Sequence, residues 1–267
     1  MFAYLRTWPA IAACCLVLAA CGGGGGGGSA APAPTVPPTP TPVNADIKVL
    51  MFGNSHTALN GLPEMLAVMI RAGRPGKTVA VVAADGYLTL DQRMDDSYSR
   101  ALLASQNWNA LVLQAQQYSS SGTVEYSTSD AVEWVRLARL KGSLPVMFPE
   151  WPRRGIDETA RIYDLHVSIA KKQPACVAPI PQAFDLSFTR FPSLLLHADD
   201  GNHSNITGAF LAALVLYSTI TGESPLGLPY FSQVPVSAEV QANIRKVVDD
   251  QVQLVSPRLY CPNDIKL

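Results

Sequence analysis

Residues 49–66 read VLMFGNSHTALNGLPEML. The apolar run, which begins at Ile47, halts at Gly53-Asn54-Ser55-His56, and the chain resumes with Leu62, Met65, Leu66, Met69 and Ile70 at helical spacing. A strand without polar alternation is one buried on both faces, as in a parallel sheet. A strand followed at once by an amphipathic helix is the start of a βαβ unit. In open α/β sheets ligands sit at the carboxyl ends of the strands, so Ser55 falls where this architecture places its active sites.

The same alternation continues outward. TVAVVA (78–83), ALVLQ (110–114), LPVMF (144–148) and CVAPI (176–180) predict further buried strands. Between them the periodicity predicts a helix ending at Gly73 as its C′ residue, one over 130–141 followed by Gly142, and one over 157–172 with Asp157 as N-cap. ITGAFLAALVLYSTITG (206–222) is apolar on most sides, too short and interrupted for a membrane span, and expected to pack deep in the domain. Val240, Ile244, Val247, Val248 and Val255 mark a last helix. Five strands with intervening helices predict a doubly wound parallel sheet with right-handed crossovers over residues 46–267.

With 267 residues, 48% hydrophobic, 15% charged and a net charge of −1, the chain is long enough for one sizeable core. It carries no Lys/Arg stripe of the kind a nucleic-acid partner requires. Residues 1–20 read as an export signal, with Arg6 ahead of the apolar WPAIAACCLVLAA. Residues 21–45 hold seven glycines and then SAAPAPTVPPTPTPVN, a tether that cannot bury apolar surface. The glycines precede no strand–helix unit, so they form no phosphate loop, and no cofactor is implied. Removal of the signal leaves Cys176 and Cys261 in the domain, either as a disulfide or as two buried thiols.

A serine hydroxyl needs a base to take its proton and a third group to fix that base's tautomer. HADDGNHSNITG (197–208) supplies both, with Asp200 and His203 three residues apart in a loop ahead of a helix. Gly53-Asn54-Ser55-His56 after the first strand resembles the Gly-Asp-Ser block of SGNH (GDSL-type) hydrolases, and Asp200-Gly201-Asn202-His203 resembles their terminal Asp-x-x-His block. The resemblance implies a flavodoxin-like three-layer α/β/α sandwich with a five-stranded parallel sheet, with Ser55 as nucleophile, His203 as base and Asp200 as orienter. It also implies an oxyanion hole from the backbone N–H groups of Ser55 and Gly86 and a side-chain amide after the third strand. There the family's Gly-x-Asn is replaced by Gln114-Ala115-Gln116, so Gln116 is expected as the donor and Gln114 as the alternative.

Leu18-Ala19-Ala20-Cys21 resembles a bacterial lipobox, which implies a lipid anchor on Cys21. Gly22 in place of Asp points to the outer membrane of the cell envelope. MFPEWPRRG (147–155) sets Trp151, Arg153 and Arg154 near the strand ends, where they either line a substrate groove or, as the alternative, Trp151 packs and the arginines are solvated; Asn54, His56 and Trp151 are candidate substrate contacts, with packing or a local hydrogen bond the alternative for His56. The activity expected is a serine esterase forming an acyl-enzyme, acting on small acyl groups, acetyl foremost, carried by carbohydrate. Two alternatives stand beside it. One is a binding lipoprotein that kept the scaffold without turnover; the other is a metal-dependent hydrolase with His197, Asp199, Asp200 and His203 as ligands.

Overall fold

The computed structural model describes residues 40–267; the signal, Cys21 and the tether up to residue 39 lie outside the described residues. Five strands, β1 (Ile47–Phe52), β2 (Val79–Ala83), β3 (Ala110–Leu113), β4 (Leu144–Met147) and β5 (Cys176–Val177), form one all-parallel sheet in the order β2-β1-β3-β4-β5. This is the flavodoxin-like order, in which the chain reverses direction of travel between β1 and β3. Phe52 pairs with Leu113 and Leu113 with Met147, so the carboxyl ends of the three central strands lie level.

The helices are α1 (Ser55–Ala58), α2 (Leu62–Gly73), α3 (Leu90–Asp95), α4 (Ser97–Ala104), α5 (Ser129–Leu140), α6 (Thr159–Lys172), α7 (Ile180–Arg190), α8 (Ile206–Thr221) and α9 (Ala238–Leu254). Successive strand residues point to opposite faces. Val49, Met51, Val112 and Val146 accordingly pack with α2, α7, α8 and α9. Leu50, Phe52, Leu111, Leu113 and Met147 pack with α3, α4, α5 and α6. Two cores on two faces make the sandwich three layers deep. From Gly208 to Thr221 every residue of α8 is buried, as its all-round apolar character predicts.

Several local expectations are corrected. Gly73 is the last helical residue of α2, not its C′ residue; a Cβ there would lie 2.3 Å from the Tyr217 hydroxyl, so glycine is required by the close approach of α8. α6 starts at Thr159, after Glu158, and Asp157 does not cap it. CVAPI contributes only two residues to β5, because Pro179 brings no N–H to a ladder and Ile180 opens α7. The folded unit also reaches back into the segment read as tether, where the Val43 N–H donates to Gln106 Oε1 at 3.2 Å. Cys176 and Cys261 are joined in a disulfide across 85 residues. It holds the C-terminal segment against β5, where the Val177 N–H donates to the Pro257 carbonyl at 2.9 Å.

Candidate active site

Ser55 is the first residue of α1, three residues beyond the end of β1. Asn54 is in an extended conformation and caps the helix, its Oδ1 accepting the His56 N–H at 3.0 Å. Gly53 has no room for a side chain: a Cβ would sit 2.1 Å from Thr57 Oγ1 and 2.5 Å from Gln114 Oε1. As the first helical residue, Ser55 has a backbone N–H with no partner inside the helix.

The second part of the site is the loop before α8. His197 and Ser204 form an antiparallel bridge, and Gly201, with φ of 69°, turns the chain between them. Asp200 Oδ1 accepts the N–H groups of Asn202 and His203, each at 2.9 Å, and Oδ2 accepts from His203 Nδ1 at 2.5 Å. The His203 ring and then these two backbone donors hold the Asp200 carboxyl well below the usual carboxylate range. With Nδ1–H committed to Asp200, Nε2 is the free acceptor, and it stands 2.8 Å from Ser55 Oγ. The structure thus brings Ser55, His203 and Asp200 into one hydrogen-bonded line at the carboxyl edge of the sheet.

His56 stacks on His203 with ring centroids 5.0 Å apart. Burial, and after it the charge of His203, pushes the His56 imidazole down to about 4, so it is neutral near pH 7. It is 7% exposed and packs against the His203 ring, which favours its packing alternative over a substrate contact. For Trp151 the packing alternative holds and the substrate-contact one does not: it is 1% exposed, stacks on Phe184, and donates from Nε1 to the Asn202 carbonyl at 2.8 Å. Arg153 Nε reaches Asn202 Oδ1 at 3.2 Å and the Arg154 N–H donates to the Gly201 carbonyl at 2.8 Å. The segment 151–154 therefore straps the loop that carries Asp200 and His203.

Gly86 follows β2 with φ of 83°, and among the described residues neither its N–H nor that of Ser55 has a backbone partner. Gln116 does not join them. Ala115 takes a left-handed φ of 72°, which turns the chain off the strand direction, and the Gln116 Nε2 hydrogens are spent on the carbonyls of Gln117 and Ser127, each at 3.0 Å. The expectation that its amide completes the hole is corrected accordingly. Gln114 is fully buried and forms the floor of the site. Its Oε1 accepts from the Asn54 N–H at 2.8 Å and from Thr57 Oγ1 at 3.0 Å, and its Nε2 donates to Glu150 Oε2 at 2.8 Å.

Two charged residues at the site escaped the sequence reading. Glu150 sits after β4, and burial, opposed by the Gln114 hydrogen bond, pushes its carboxyl up to about 7. A carboxylate three residues past an apolar buried strand is the signal that marks it. Arg93, fully buried in α3, donates to the carbonyls of Gly53 at 2.7 Å and Gly86 at 2.9 Å. It lies in a helix with no strong periodicity, so no signal marked it.

The set His197, Asp199, Asp200 and His203 is not gathered as metal ligands. His197 Nε2 bonds the Pro152 carbonyl at 2.8 Å, and both ring nitrogens of His203 are taken by Ser55 and Asp200. Cys176, Cys261 and Asp264 lie together, but the two sulfurs are bonded to each other and offer no thiolate. His166 lies in α6 with Nδ1 on the Ile162 carbonyl, and burial pushes it down to about 4.

No protein-family model matches this chain, and no curated protein matches it. Solved structures do. A protein from Slackia heliotrinireducens described as "a putative SGNH hydrolase" is 25% identical over 64% of this chain and 97% of its own, with a TM-score of 0.53. A DUF4886 family protein from Bacteroides uniformis is 16% identical over 78% of this chain and 95% of its own, with a TM-score of 0.63. The fold is that of the SGNH hydrolases.

Proposed function

We propose that this chain is a serine ester hydrolase that works through an acyl-enzyme. The observation that carries the proposal is the Ser55 Oγ to His203 Nε2 distance of 2.8 Å, with Asp200 on the far ring nitrogen. Ser55 Oγ attacks the ester carbonyl carbon as its proton passes to His203 Nε2. The backbone N–H groups of Ser55 and Gly86 face the developing oxyanion, each donor of this kind being worth about 10² to 10³ in kcat. Collapse breaks the bond to the alcohol oxygen, which takes the proton from His203. Water, deprotonated by the same nitrogen, then releases the acid and restores Ser55.

The substrates we propose are O-acyl groups, acetyl foremost, on carbohydrate. The Asp200 and His203 side chains are 48% and 27% exposed, an open rim that supports a large polar alcohol as the leaving group. The tether and Cys21 support a lipid-anchored enzyme of the bacterial outer membrane.

The test is a panel of p-nitrophenyl esters graded by acyl length, beside acetylated glycans, with Ser55→Ala as control. Acetate release from the glycans and preference for the shortest acyl chain are expected. Preference for long acyl chains would remove the carbohydrate assignment while keeping the hydrolase. Because Gln116 is turned from the site, a binding protein without turnover is the second reading, favoured if no ester in the panel is cleaved.

A further inference from the structure

The Gly53–Asn54 peptide, immediately before Ser55, is held from both sides. Its carbonyl accepts from Arg93 Nη2 at 2.7 Å. Its N–H donates to Gln114 Oε1 at 2.8 Å, and the other end of that amide donates from Nε2 to Glu150 Oε2 at 2.8 Å. One unbroken hydrogen-bond chain therefore runs from a guanidinium, through the peptide and a side-chain amide of the same polarity, to a carboxyl group. Each bond in such a chain polarises the next in the same sense. Arg93 and Gln114 are both 0% exposed, so neither contacts bulk water.

The two ends are also tied to what surrounds Ser55. Arg93 Nη2 reaches the Gly86 carbonyl at 2.9 Å, so one guanidinium joins the segments that carry both backbone donors of the proposed oxyanion hole. Gln114 Oε1 takes the Thr57 hydroxyl at 3.0 Å, which fixes α1 as well as the peptide before it. Arg93 lies over Phe52 at 5.3 Å and bonds Ser99 Oγ at 3.1 Å, with Asp85 and Asp96 nearby. Around Glu150 lie Glu158, Arg153, His203 and Tyr118. Burying a cation or a carboxyl group is costly unless it is hydrogen-bonded. The fold accepts that cost at the one peptide that aims the nucleophile.

We infer that Arg93, Gln114 and Glu150 are positioning residues that hold the Gly53–Asn54 peptide from both faces and thereby fix Ser55 against His203. The inference rests on Ser55 being the nucleophile. None of the three touches the reacting atoms; they act through the peptide.

The experiment compares the full chain with Glu150→Leu, Glu150→Gln, Gln114→Leu and Arg93→Lys. It measures kcat per fluorophosphonate-titrated site, KM on p-nitrophenyl acetate, and hydrogen exchange at the Asn54 amide. Misplacement of a reacting group by about 1 Å costs on the order of 10²-fold. Glu150→Leu, Gln114→Leu and Arg93→Lys, whose ammonium does not reproduce the guanidinium fork onto Gly53 and Gly86, should therefore lose about 10- to 100-fold in kcat per titrated site with KM within about twofold. Glu150→Gln keeps an acceptor for Gln114 Nε2 and should stay within about threefold of the parent. Asn54 exchange should quicken by about tenfold or more in Gln114→Leu, which removes its acceptor. A purely structural role would lower the titratable fraction and leave kcat per site unchanged; that result, beside an active parent, overturns this inference alone, as does unaltered Asn54 exchange. A parent protein that neither takes the probe nor cleaves the ester overturns the nucleophile reading itself.

Discussion

Gly53→Ala tests the packing around Ser55 with a single carbon atom. The new Cβ would meet Thr57 Oγ1 at 2.1 Å, Gln114 Oε1 at 2.5 Å and Thr57 Cβ at 2.8 Å, where real Cβ atoms essentially never come closer than 3.0 Å. The nearest neighbour must therefore retreat by at least 0.9 Å, the difference between 3.0 and 2.1. Thr57 is β-branched and held within α1, and Gln114 is pinned at both ends of its amide, so neither swings away freely. Overpacking of this sort costs about 1–3 kcal/mol of stability. A shift of that size in α1 moves Ser55 off its line to His203, with an expected loss of about 10² in kcat. The assay is p-nitrophenyl acetate turnover per folded molecule, alongside thermal unfolding. Gly227→Ala, where nothing lies within 4 Å, is the control and should match the parent. A Gly53→Ala protein with parental Tm and parental kcat would refute the packing argument.

Four other expectations can be checked with the same material. Gln116→Ala should keep kcat within about threefold, since its amide is spent on Gln117 and Ser127; a loss on the scale of a missing oxyanion donor, about 10² or more, would put the amide back in the hole. Cys176→Ser with Cys261→Ser should lower unfolding free energy by up to about 4–5 kcal/mol, the chain entropy of an 85-residue loop, read by urea denaturation; an unchanged midpoint would mean the bridge adds no stability. His56 and His166, lowered to about 4 in the fold from 6.5, are protonated first in the unfolded chain, so stability should fall as pH drops from 6.5 toward 4. Glu150, raised to about 7 from 4.5, keeps a proton that the unfolded chain releases, so its contribution declines as pH rises from 4.5 to 7, and Glu150→Gln should abolish that decline in Tm measured against pH.

What could be read in advance was what depends on neighbours in sequence. Ser55 follows a strand whose apolar run announces burial, and Asp200 and His203 lie three apart, so one loop suffices to place both. α8 was legible because an all-round apolar helix has only the interior to occupy. The misreadings arose where the deciding partner lies far along the chain. Gly73 has the pattern of a helix terminator, but its reason is Tyr217; whether Trp151 lines a groove or packs is decided by its stacking on Phe184 and its bond to Asn202. Gln114 and Gln116 are two apart and chemically identical. Which of them faces the loop that carries Ser55 is decided by the left-handed turn at Ala115, a conformation that alanine does not advertise. Arg93 could not be found at all from sequence, because its four carbonyl partners belong to the ends of β1 and β2.

The most direct test of the hydrolase assignment is covalent. The protein, incubated with a fluorophosphonate and digested, should yield a single phosphonylated peptide containing Ser55, with labelling slowed by orders of magnitude in His203→Ala, which removes the base 2.8 Å from the hydroxyl. A protein that remains unlabelled, or a well-folded Ser55→Ala variant that still hydrolyses esters at the parental rate, would contradict it.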